Sequence, residues 1–154
     1  MQIYTARVTQ ANRSELVVIM YEVVIADIMD AITASKNGDL VLFDKKLKRA
    51  QKFVNELIAT LNFSYIISLD LMQLYLYVNK RIIMAIMKQN VDSLNSAVKV
   101  MEHLLVGFEG VSKQDKSGPI MQNTQQIYAG LTYGNGTLNE SFLSIKDHAR
   151  GYKA

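Results

Sequence analysis

The sequence predicts an all-α fold: an antiparallel up-down four-helix bundle over residues 1–111, followed by an irregular, polar C-terminal extension over residues 112–154. Three observations carry this. Apolar residues recur at spacings of three and four through most of the first segment, the period of a helix that buries one face. Residues that cap or stop helices fall between those runs. Pro119 is the single proline in the chain, and no period-two alternation competes with the helical pattern before Val111.

The first helix is predicted from Asn12 to about Ser35. Asn12 can accept from the free amides of the first turn, and Glu15 stands three residues on, which is a capping-box pattern. Asn37-Gly38 supplies the stop, since glycine takes the left-handed conformation at a helix end. Leu16, Val17, Val18, Ile19, Met20, Val23, Val24, Ile25, Ile28, Met29 and Ile32 cover most of this helix's circumference. Glu15, Glu22 and Asp30 mark its polar stripe, and Asp27 interrupts the apolar side. A helix apolar nearly all round must be covered on more than one side. The second helix is capped by Asp39 and carries a clean stripe of Phe43, Leu47, Ala50, Val54, Leu57 and Leu61, with Lys45, Lys48, Lys52 and Glu56 outward. The link over residues 62–68 contains Phe63, Tyr65, Ile66 and Ile67, and so is expected to pack over one end of the bundle.

The third helix is predicted from about Leu69 to Lys88, with Leu71, Leu74, Tyr75, Val78, Ile82 and Ala85 on one stripe and Met72, Leu76, Ile83 and Met87 widening it. The fourth is expected to start at an Asp92 cap and to bury Leu94, Ala97, Val98, Met101, Leu104, Leu105, Phe108 and Val111. The short joints at Gly38 and at residues 89–91 make each helix pair antiparallel neighbours. Burial of large apolar side chains, at about 1.5–3 kcal/mol each, opposes the entropy of ordering the bundle. The extension is rich in Gly, Ser, Thr, Asn and Gln. Within it, residues 128–136 hold too much glycine for a helix, Asn135-Gly136 suits a tight turn, and residues 139–145 suit a short helix. Its role stays open between a flexible extension, a cover on an apolar surface and an arm to a second copy.

Composition excludes several classes of function. There are no cysteines and two histidines, so neither disulfides nor a metal centre is expected. No segment has the pattern of a signal peptide or the length of a membrane span. A cytoplasmic protein without membrane contact is the simplest reading. The formal net charge is +3, well short of the basic footprint that nucleic-acid binding leaves. The run Lys45-Lys46-Leu47-Lys48-Arg49 with Lys52 reads as a solvated helix face.

Catalytic material is sparse. Nucleophilic catalysis needs a base beside the nucleophile, and His103 and His148 stand far apart. No phosphate-binding glycine loop occurs, and Asp27 with Asp30 or Glu22 reads as a surface group of carboxylates. No cofactor is expected. One alternative rests on His103-Leu104-Leu105-Val106-Gly107, which resembles the phosphorylated segment of histidine phosphotransfer domains, themselves four-helix bundles. The lysine usual before that glycine is Val106 here, and Phe108 replaces the small residue after it. The methionines at 20, 29, 72, 84, 87 and 101 and the tyrosines at 21, 75 and 77 fit a surface that accepts an irregular apolar partner, although core filling is the ordinary role of any one of them. Helix one is expected to hold the excess apolar surface. That surface could accept a partner's amphipathic helix, a second copy in a homodimer, or the chain's own tail.

An ordered series of short motifs resembles the flagellar secretion chaperones, the FliS family. It begins with Ala11-Asn12-Arg13-Ser14-Glu15-Leu16 and Ile19-Met20-Tyr21-Glu22. It continues with Asn37-Gly38-Asp39, Arg49-Ala50-Gln51 and residues 56–62, then Leu74-Tyr75-Leu76-Tyr77-Val78 with Arg81-Ile82, and ends at Phe108. The resemblance covers about residues 3–111. The chain departs from it at Arg13, where many members have proline, and at Val23, where glycine is common. The second link lacks glycines, and the extension has no counterpart in the family's shared core. The resemblance implies an antiparallel four-helix bundle that binds the C-terminal segment of newly made flagellin in the cytosol. Binding would prevent premature polymerisation and present the client to the flagellar type III export apparatus. The contact residues it implies are Met20, Tyr21, Val24, Leu74, Tyr75 and Tyr77, with Ile3 and Tyr4, near Val8, as an N-terminal cover that yields to the partner.

Overall fold

The computed structural model describes residues 2–119, with side chains from Tyr4 onward. Those residues form five helices: α1 (Gln2–Gln10), α2 (Arg13–Lys36), α3 (Leu40–Ala59), α4 (Ile67–Lys88) and α5 (Leu94–Gln114). The four helices expected from the sequence are α2 to α5. Helix α1 lies where only a cover segment was expected. Helix α5 runs past Val111 to Gln114, across the boundary expected between bundle and extension. The glycine-rich stretch at 128–136 and the short helix expected at 139–145 lie outside the described residues.

The caps explain most helix boundaries. The Glu15 amide donates to Asn12 Oδ1 at 2.9 Å while the Asn12 amide donates to Glu15 Oε1 at 3.0 Å. This is the reciprocal capping box that the sequence predicts. Gly38 takes φ +75° at the turn after α2, and Asp39 Oδ1 accepts from the Leu42 amide at 3.0 Å to open α3. Helix α4 begins two residues before the expected Leu69. Helix α5 begins at Leu94, so Ser93 rather than Asp92 stands at its cap. The Ser93 hydroxyl is turned to the Arg81 carbonyl at 2.7 Å, which ties the start of α5 to α4. Helix α4 ends on Gln89 in the left-handed region at φ 52°, a position that favours glycine.

The link between α3 and α4 does not pack as expected. Asn62 Oδ1 accepts from both the amide and the hydroxyl of Ser64, and the Asn62 carbonyl accepts from Ser68 Oγ at 2.6 Å. These bonds close the turn through its polar groups and leave Phe63, Tyr65, Ile66 and Ile67 exposed.

Residues 17–112 form one compact unit. Its core takes Tyr21, Val24, Ile28 and Ala31 from α2; Phe43, Leu47, Val54 and Leu57 from α3; Leu71, Tyr75, Val78 and Ile82 from α4; and Leu94, Ala97, Val98 and Met101 from α5. Helices α3 and α4 pack directly on each other. Asp27 interrupts the apolar face as expected but is not the surface carboxylate that the sequence suggested: it is buried at 1% exposure. Arg49 Nε donates to its Oδ2 at 2.7 Å, and Lys46 Nζ lies 3.7 Å from its Oδ1 and 2.9 Å from Asp30. The fully buried residues of α5 end at Met101. Beyond it Leu104, Leu105 and Phe108 are half-buried, and Val111, expected in the core, is half exposed.

A second unit holds residues 2–16 and 113–119 among the described residues. Within it Asn12 Nδ2 donates to the Asp115 carbonyl at 3.3 Å and Ser14 Oγ donates to Asp115 Oδ2 at 2.8 Å. Hydrogen bonds from Ser117 and then Ser14 hold the Asp115 carboxyl down at a pKa of about 2.

Candidate functional site

Apolar side chains left in solvent mark the surface at which a partner can bury area. On α2, where the excess was expected, the structure leaves little: Met29 is about half exposed at 49%, and the other large apolar side chains are buried or half-buried. The excess sits instead on α4 and the link before it. Leu69, Leu76, Ile83 and Met87 are exposed there, along with Leu74 and Tyr77. The spacing explains this. Leu71, Tyr75, Val78, Ile82 and Ala85 occupy the buried face of α4. Leu69, Leu76 and Ile83 repeat every seven residues on the opposite side, so the residues that appeared to widen the core stripe form a second one.

Beneath the surface lies a polar pair in an apolar setting. The hydroxyls of Tyr21 on α2 and Tyr75 on α4 share a hydrogen bond of 2.5 Å. The Tyr21 ring meets Phe108 of α5 edge-on, with centroids 5.4 Å apart. Burial raises the pKa of both hydroxyls, most strongly for Tyr21, where the neighbouring Tyr75 adds to it. Both rings therefore stay neutral and paired, as a buried tyrosine requires.

On the flank of α4 toward α5, Tyr77 is held by a neighbour. The Arg81 guanidinium lies over its ring, 5.4 Å from the centroid, and Arg81 Nε donates to Ser96 Oγ at 3.0 Å. Tyr77 thus presents an oriented aromatic face, 39% exposed, beside Leu74 at 37%.

The residues expected to bind a partner separate into groups. Leu74 and Tyr77 are exposed together. Met20 is half-buried against the core. Tyr21, Val24 and Tyr75 are buried within it, at 0%, 0% and 2% exposure. Tyr4 is half-buried, with the Arg7 guanidinium 5.9 Å from its ring centroid. The side chain of Ile3 lies outside the described residues. Sequence reasoning missed the outward stripe of Leu69, Leu76, Ile83 and Met87; their angular position opposite Tyr75 and Ile82 was the signal that could have found it. His103 is exposed on α5, next to an exposed Val106 and with open space beyond Gly107. Among the described residues no group of three His, Asp or Glu side chains could hold a metal ion, and no helix is long and apolar enough to cross a membrane.

Among the described residues, the fold and this surface define an all-helical protein with a buried core and a helix, α4, that is apolar on both its inner and outer faces. Residues 2–115 match the family model described as flagellar protein FliS, and the chain belongs to that family. No curated protein matches the chain.

Proposed function

We propose that this chain is a flagellar export chaperone that binds the C-terminal segment of flagellin in the cytosol, prevents its premature polymerisation and passes it to the flagellar type III export apparatus. Membership of the FliS family over residues 2–115 is the observation that carries the reading. The exposed flank of Leu74 and Tyr77 on α4 supports it, because a client segment that folds on binding needs exposed apolar area to offset its ordering entropy.

The architecture that goes with this reading is an antiparallel up-down bundle of α2 to α5. Asp27 and Arg49 stand equally far along the chain on either side of Gly38 and are paired. Ser96 and Arg81 bridge α5 and α4 across the short joint between them. Both contacts are what antiparallel neighbours make.

Within the proposed contact set, Leu74 and Tyr77 touch the client directly, with Met20 at the edge. Tyr21, Val24 and Tyr75 act from below by holding α2 and α4 in place. Ile3 and Tyr4 serve as the cover that yields. Against the phosphotransfer reading of His103, Val106 stands where that chemistry expects a lysine. A homodimer through α2 would have to be built on Met29 and little else.

The test is the affinity of Leu74→Asp and Tyr77→Asp variants for a peptide from the C-terminus of the host's flagellin. Both side chains are already partly in solvent, so the fold should survive. We expect each change to weaken binding at least about tenfold, or roughly 1.4 kcal/mol. Unchanged affinity in both would remove this flank from the contact surface.

A further inference from the structure

We propose a second docking face, on the outer side of the α3–α4 pair, whose occupant is an amphipathic helix of another polypeptide with acidic residues flanking one end of its apolar stripe. It goes beyond the flagellin reading and stands apart from the flank of Leu74 and Tyr77, which turns toward α5.

Three observations converge on that occupant. First, Leu69, Leu76, Ile83 and Met87 form an exposed line one side chain wide along α4, at 58%, 48%, 37% and 78% exposure. At 1.5 Å per residue the line is about 27 Å long. Its first three members repeat every seven residues, the spacing that keeps a seam facing a second helix. Gln73 and Lys80 border the line on one side, so the apolar strip is as narrow as one helix and does not spread into a broad sheet of apolar surface.

Second, the face continues onto α3. The half-buried Asn79 donates through Nδ2 to Oδ1 of the exposed Asn55 at 3.1 Å and joins the two helices. Lys45, Lys48 and Lys52 recur at spacings of three and four on the outer side of α3. Lys52 and Lys80 make no ion pair among the described residues. Lys48 is paired only with Asp44, at 2.7 Å and in solvent, a contact that yields easily.

Third, the charge is polar along the line. With α3 and α4 antiparallel, Lys48, Lys52 and Lys80 surround the end that holds Ile83 and Met87. The other end carries the acidic Asp70 and the exposed apolar link of Phe63, Tyr65 and Ile66. A partner helix with acidic flanks near Ile83 and Met87, and none near Leu69, matches both ends. Acidic residues along its whole length would meet Asp70 at that end and be repelled there.

The test uses the full chain and two synthetic amphipathic helices about three heptads long, with leucines at the seam positions and either glutamates or lysines flanking one end. The glutamate peptide is expected to bind saturably, and the lysine peptide at least about tenfold more weakly. K48E/K52E should weaken the glutamate peptide to a similar extent and flatten its salt dependence. L76K/I83K should abolish its binding. All four substituted side chains already face solvent, and circular dichroism checks that helix content is kept. Equal binding of the two peptides, no binding of either, or indifference to K48E/K52E would each overturn the proposal. So would binding to phosphatidylglycerol vesicles that is lost in the same variants while the peptide fails to bind, since that result would assign the face to a bilayer.

Discussion

Tyr21 and Tyr75 each bring a hydroxyl into the core, and each depends on the other for its partner. Replacing either one by phenylalanine leaves the other hydroxyl buried and unpaired, at a cost of about 1–3 kcal/mol. Replacing both removes the unpaired group. The Tyr21→Phe/Tyr75→Phe double variant should therefore be less destabilised than the sum of the singles, as urea unfolding can measure; additive losses would show the pair is not coupled. The same pair has a pH signature. In the folded state both pKa values lie above the ordinary tyrosine value of about 10, because burial disfavours the phenolate. The folded chain then holds protons that the unfolded chain releases. The pair's contribution is fully present below pH 10 and falls as pH rises beyond it. The double phenylalanine variant should lose stability less steeply in that range, and an unchanged slope would contradict the assignment. Asp27 is a buried carboxylate at the same scale. Arg49→Ala leaves its carboxylate with Lys46 at 3.7 Å as the remaining partner, which should cost about 3 kcal/mol in the same unfolding measurement.

At the scale of elements, most helix limits were legible because they are set by local chemistry. Asn12 with Glu15, and Gly38 with Asp39, act over a few residues, and the structure places them as the sequence suggests. Asp92 and the apolar link were misread for a non-local reason. The Ser93 hydroxyl reaches the Arg81 carbonyl on another helix, and the hydrogen bonds at Asn62 close a turn that hydropathy alone would bury. The larger miss was the helix with surplus apolar surface. Counting apolar residues around α2 correctly predicts a helix covered on several sides, but it cannot say whether the fold itself supplies the cover. In the structure it does, and α4 keeps an uncovered face instead. Helix α4 also carries a local cost. Gln89 adopts a left-handed conformation that disfavours a side chain by about 1–2 kcal/mol, part of which the extra freedom of an unfolded glycine offsets. Gln89→Gly should raise unfolding stability by about 0.5–1 kcal/mol; a loss would mean that the Gln89 side chain contributes something the backbone does not reveal.

For the molecule as a whole, the sequence made the all-helical class and the family legible, since both rest on patterns spread over many residues. The site was legible only in part. Leu74 and Tyr77 are exposed as a binding residue must be, whereas Tyr21, Val24 and Tyr75 are core residues. A tyrosine in a helical stripe reads the same in sequence whether it faces a partner or a buried hydroxyl, because the deciding contact comes from another helix. The central claim is that this chain holds the C-terminal segment of flagellin through the exposed flank of Leu74 and Tyr77 on α4. Isothermal titration of the full chain with a peptide from the C-terminus of the host's flagellin tests it most directly. Saturable one-to-one binding is predicted with Kd of about 10 µM or tighter, roughly −7 kcal/mol, and with a negative heat-capacity change from apolar burial. No binding at that concentration, with the helical signal of the chain intact, would contradict it.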